Sequence, residues 1–142
     1  MKKLTIIYWS GTGNTEEMAK LIEQGAKEGG AETRLVNVSE ATIEDVEQAD
    51  IVALGSPSMG AEVIEEQEME PFVESIEGIV NDKIVGLFGS YDWGTGEWME
   101  NWVERMNGCG AKVVGDGCIV NLSPEGEEAE KCKAYGKSLT EV

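Results

Sequence analysis

The stretch with the most chemical promise carries no charge. Ser10 to Thr15 read SGTGNT, directly after the apolar run LTIIYW and directly before EEMAKLIEQGAKEGG. Placed between a strand and a helix, such a segment offers backbone N–H groups and hydroxyls at the positive end of the helix dipole, an anion cradle for which phosphate is the natural guest. The same composition also suits an ordinary turn. Asn14 is expected to cap the helix, with Glu17 as its capping-box partner.

The identity of that phosphate narrows by elimination. A nucleoside triphosphate loop needs Gly-Lys-Ser/Thr, but Asn14, Thr15 and Glu16 follow Gly13. A dinucleotide fingerprint needs glycine where Glu16 stands. A phosphatase nucleophile is missing, since the loop has neither cysteine nor arginine, and a phosphoacceptor carboxylate is missing where the third strand ends in LGSP. What remains is a phosphate held passively, as the handle of a larger group. Two further loops suggest that group. Met59 precedes Gly60 in SPSMGAE, and Trp93 lies in GSYDWGTGEW among Gly89, Gly94 and Gly96. A thioether and an indole can close on the two faces of a flat ring.

Composition removes other classes of function. The formal charge is -17 with no histidine, so the commonest metal ligand and acid–base group is absent and nucleic acid is disfavoured as a partner. Three cysteines, Cys109, Cys118 and Cys132, support neither a disulfide framework nor a four-thiolate metal site and are read as reduced packing residues. The N-terminal apolar run breaks at Trp9 into the glycine loop, and no run is long enough to span a bilayer, so a soluble, cytoplasmic protein is expected.

The elements that must position these loops alternate along the 142 residues. LTIIYW, TRLVNV, DIVALG, KIVGLFG and AKVVGDGCIVNL read as strands, the last interrupted around Gly115 to Gly117. The helices are the segments after Asn14, IEDVEQA, PFVESIEGIV, GEWMENWVERMNGCG and EGEEAEKCKAYGKSL. Trp98, Trp102 and Met106 form a core stripe on the fourth. The pattern predicts one α/β domain over residues 1–142, a doubly wound five-stranded parallel sheet with helices on both faces. Ligands then bind beyond the carboxyl ends of the strands, where all three loops fall.

SGTGNT, SMGAE and GSYDWGTGEW, in that order, resemble the flavodoxins, of the short-chain kind similar to clostridial ones, across essentially the whole chain. The resemblance implies noncovalent flavin mononucleotide (FMN) and a low-potential one-electron carrier cycling between semiquinone and hydroquinone. Ser10, Thr12, Gly13, Asn14 and Thr15 would hold the phosphate, with Trp9 and Gly11 shaping the loop. Met59 and Trp93 would cover the two ring faces, and Gly60 would turn its carbonyl toward N5. Glu62 would accept from N3-H, and the N–H groups of Asp92 and Gly94 would face the N1 and O2 edge. Ser58, Ser90 and Tyr91 complete the cofactor-binding set. Asp92 stands where the family pattern has glycine, and Ala61 where a polar residue is common. The resemblance also implies a monomer that meets redox partners through basic patches on their side. The acidic run Glu62, Glu65, Glu66, Glu68 and Glu70 would steer them, and would oppose a second electron by roughly 1 to 2 kcal/mol in total. Two other readings remain at this point: a flavin-dependent NAD(P)H or quinone reductase on the same fold, and a non-redox flavin-binding module.

Overall fold

The computed structural model describes residues 2–142. Strands β1 (Lys3–Tyr8), β2 (Glu32–Asn37), β3 (Ile51–Gly55), β4 (Ile84–Tyr91), β5 (Lys112–Val113) and β6 (Cys118–Asn121) alternate with helices α1 (Asn14–Glu28), α2 (Ile43–Glu47), α3 (Met69–Ile76), α4 (Glu97–Gly108) and α5 (Glu127–Thr140). The sheet order is β2-β1-β3-β4-β5, all neighbours run parallel, and β6 also pairs with β4. β5 and β6 are thus two halves of one broken fifth strand, as the Gly115–Gly117 interruption predicts. Tyr135 bridges the break: its hydroxyl accepts from Leu87 N–H at 3.0 Å and donates to the Val114 carbonyl at 3.0 Å.

Each central strand divides its apolar residues between two cores. Leu4, Ile6 and Tyr8 face α1 and α5 with Met18, Ile22 and Leu139, while Ile7 faces the other way with Val52, Leu54, Val73 and Trp102. Burial on both faces explains why the strands read as apolar runs. The Trp98, Trp102 and Met106 stripe lies in the second core. Cys118 and Cys132 are free and buried in the first, with their Sγ atoms 4.0 Å apart.

Helices α1 and α5 pack at backbone contact. A Cβ at Gly25 would lie 1.8 Å from the Lys133 carbonyl oxygen, and one at Gly136 would lie 2.0 Å from that of Ile22. No helix of the described residues is long and apolar enough to cross a membrane.

Candidate cofactor site

Because the strands are parallel, their carboxyl ends share one edge, and the β1–α1 loop opens there. Trp9 N–H donates to the Gly55 carbonyl at 2.9 Å, which seats the loop beside β3. The helix starts differently from the expectation. Gly13, at φ 99°, occupies the cap position, so Asn14 is already helical and Glu17 forms no capping box; its N–H instead reaches the Gly13 carbonyl at 3.0 Å. The left-handed turn at Gly13 brings Ser10 back over the helix end, where its Oγ accepts from Gly13 N–H at 3.1 Å and Glu16 N–H at 3.2 Å. The N–H groups of Ser10, Gly11, Thr12, Asn14 and Thr15 have no acceptor among the described residues. Thr15 is buried, its hydroxyl shares a hydrogen bond with Ser90 Oγ at 3.3 Å, and its N–H has no acceptor among the described residues.

The β3–α3 loop folds into a small hairpin. Met59 and Val63 exchange N–H···O bonds of 2.8 and 3.0 Å around Gly60, Ala61 and Glu62. Gly60 has φ 48°, a first-position geometry of the primed turns that favours glycine, and a Cβ there would meet nothing within 4 Å. Glu62 is buried despite its charge and holds φ 55°. The cause is the α4 N-terminus: Glu62 Oε1 accepts from the N–H groups of Thr95, Gly96 and Glu97 at 3.1, 3.2 and 3.3 Å. The carboxylate therefore caps a helix from another loop and meets its positive dipole end. A Cβ on Gly94 would come within 2.3 Å of the same oxygen.

The acidic run is not one uniform patch. Glu65 turns inward, where its Oε1 accepts from Glu68 N–H at 2.7 Å and Met69 N–H at 2.9 Å, capping α3. Glu70 receives both terminal nitrogens of Arg105 at 2.8 and 2.7 Å, and these hydrogen bonds hold its carboxyl below the ordinary value. Glu68 accepts from Trp9 Nε1 at 3.1 Å, and with Glu66 it is exposed. Only Glu66 and Glu68 thus present the solvated charge that all five glutamates were expected to supply. Spacing cannot reveal this, since helix-capping carboxylates look like surface ones in sequence.

A cavity of about 240 Å³ joins the loops, lined by Trp9, Gly11, Thr12 and Asn14, by Pro57, Ser58 and Met59, by Ser90, Tyr91 and Asp92, and by Leu122. A second depression shares Trp9 and Met59 and continues past Gly60 to Glu65, Glu66 and Gln67. Trp93 does not line the cavity and is 62% exposed; Tyr91 lies inside instead, its ring 5.7 Å from that of Trp98. Pro57 and Leu122 were not expected. Leu122 follows β6 with φ 60° and no glycine to mark it, yet the parallel topology puts any loop after that strand at the same edge. The N–H groups of Asp92, Trp93 and Gly94 also lack acceptors among the described residues.

Free N–H groups at a helix start, an apolar slot and a second set of free N–H groups suit the class of protein that takes a flat cofactor by a phosphate handle. The family model for flavodoxin matches residues 6–136. The flavodoxin of Clostridium beijerinckii is 46% identical over 139 residues, 98% of this chain and 100% of that one. That of Megasphaera elsdenii is 44% identical over 137 residues, 96% of this chain and 98% of that one. The solution structure of two-electron reduced Megasphaera elsdenii flavodoxin superposes with a TM-score of 0.91 at 42% identity, covering 98% of this chain and 99% of the other. The chain belongs to the flavodoxin family, small electron-transfer proteins that bind FMN, and FMN is its cofactor.

Proposed function

We propose that residues 1–142 form a single FMN-binding domain that carries electrons one at a time between redox proteins and catalyses no reaction of its own. The observation that carries this reading is that two sets of unpartnered N–H groups, those of Ser10, Gly11, Thr12, Asn14 and Thr15 and those of Asp92 to Gly94, belong to loops that line one slot. The donors fit the cofactor. A phosphate suits the neutral cradle of Ser10, Thr12, Asn14 and Thr15, with Gly13 as its hinge, and the Met59 and Tyr91 walls suit a ring. Trp93, exposed and outside the cavity, would have to close over the ring to supply its outer face. Glu62, whose Oε1 is committed to α4, would offer its other carboxylate oxygen to N3-H. The Gly60 peptide lies at the turn whose carbonyl would meet N5, and Asp92 and Gly94 N–H would meet the N1 and O2 edge. The bound flavin supplies the electron storage, accepting and releasing single electrons. The chain's part is to hold it, exclude water from one face and set the field around it.

That field is negative. The loops at this edge contain no lysine or arginine, since none occurs between Arg34 and Lys83 or between Lys83 and Arg105. We infer a monomer in the cytoplasm that docks through this edge with basic patches on its partners. Membership of the flavodoxin family favours this carrier over the reductase and the non-redox module.

The test is stepwise anaerobic reduction of purified protein loaded with FMN. One FMN per chain and a long-wavelength absorption band at one electron per flavin are expected. Direct bleaching without that band would overturn the carrier reading, and failure to take up FMN would overturn the site.

A further inference from the structure

We infer that Asn121 is a positioning residue that aims the Asp92 and Trp93 N–H groups at the ring edge of the cofactor. The inference rests on the proposed reading that the 91–94 segment faces that edge.

Asn121 is the last residue of β6, opposite Tyr91 in the ladder, and its side chain is exposed. Nothing in strand pairing demands that its amide bond to protein rather than to water. Yet Nδ2 donates to the Tyr91 carbonyl at 3.1 Å and to the Asp92 carbonyl at 3.3 Å. Both partners are acceptors, so the amide must present nitrogen, which fixes its orientation on chemical grounds. The Leu122 N–H adds a second donor to the Tyr91 carbonyl at 2.8 Å.

Two successive carbonyls are thereby pulled toward β6. The peptides here are trans, as no cis bond occurs among the described residues, so each N–H points opposite to the carbonyl of its own peptide unit. The Asp92 and Trp93 N–H groups are therefore turned away from Asn121, on a segment whose Tyr91 and Asp92 line the cavity, and neither has an acceptor among the described residues. Glu62 gathers the next N–H groups, Thr95 to Glu97, for α4. Asn121 and Glu62 hold the segment from its two ends, and leave Asp92 to Gly94 between them for the ligand.

Asn121→Asp keeps the shape but sets a carboxylate oxygen against two carbonyls, whereas Asn121→Gln keeps the donor on a longer arm. FMN and riboflavin affinities of the apoprotein would be measured by flavin fluorescence for both variants, beside apoprotein melting. We expect Asn121→Asp to weaken both flavins by the same factor, about tenfold, and Asn121→Gln to stay within about threefold of the parent, with all melting temperatures close. Equal affinities in all three proteins would overturn the inference. So would equal losses in both variants, or a loss for FMN alone, which would locate the effect at the phosphate. Amide exchange of the unaltered protein separates the underlying reading: Asp92 and Trp93 N–H should slow on FMN binding. If they do not, the segment does not face the ring and both ideas fall, whatever the variants do.

Discussion

The proposed phosphate end and the proposed ring end of the site are built by different means. At the proposed phosphate end one continuous stretch does nearly everything: Ser10 caps the helix that its own loop starts, and the free N–H groups of Ser10, Gly11, Thr12, Asn14 and Thr15 come from that same stretch. At the proposed ring end three segments converge, and they are held to one another by residues distant in sequence. Glu62 holds Thr95 to Glu97, Asn121 holds Tyr91 and Asp92, and Trp98 Nε1 reaches the Ser56 carbonyl at 3.1 Å. A locally built subsite is set by its own sequence. A converging one exists only when the whole sheet is assembled.

Substitutions that break one end and spare the other test this difference. Glu62→Ala should be the most damaging. It strands the N–H groups that its carboxylate collects, at about 1.5–3 kcal/mol, and it should weaken FMN and riboflavin by equal factors in a fluorescence titration. Unequal factors would mean that the two ends are coupled. Ser10→Ala removes the acceptor of Gly13 and Glu16 N–H, and a loss of about 1 kcal/mol is expected in denaturant unfolding. Here FMN binding should suffer while riboflavin binding stays at the parent value; a parallel loss of riboflavin would show that Ser10 supports more than the phosphate. Gly60→Ala should cost the least stability, because a Cβ there has open space and only φ 48° opposes it. Its effect should appear in potentiometry, as a shift of about 60 mV, a tenfold change for one electron, in the gap between the two one-electron steps. An unmoved gap would remove Gly60 from the N5 contact.

The same contrast explains what could be read from the chain. The doubly wound sheet was legible because LTIIYW and DIVALG could not be half-exposed strands. The loop of free N–H groups at the start of α1 was legible because its donors are contiguous. The broken fifth strand announced itself through Gly115 and Gly117. By contrast, Glu65 was indistinguishable from Glu66, since capping depends on where α3 begins in space, and Leu122 entered the site through topology alone. The helix cap moved from Asn14 to Gly13 because a left-handed glycine lets Ser10 fold back, a choice of backbone that side-chain preference does not encode. Trp93 stands outside the cavity, while Tyr91, two residues earlier and on the strand, fills its wall.

The notched contact between α1 and α5 bears on how the protein comes into being on the ribosome. The helix at the proposed phosphate cradle packs on a partner far downstream in the chain, and Gly25 and Gly136 let the two backbones touch only when both are present. During vectorial synthesis the loop that opens α1 therefore goes unbraced until α5 has been made, because the two backbones can meet only then.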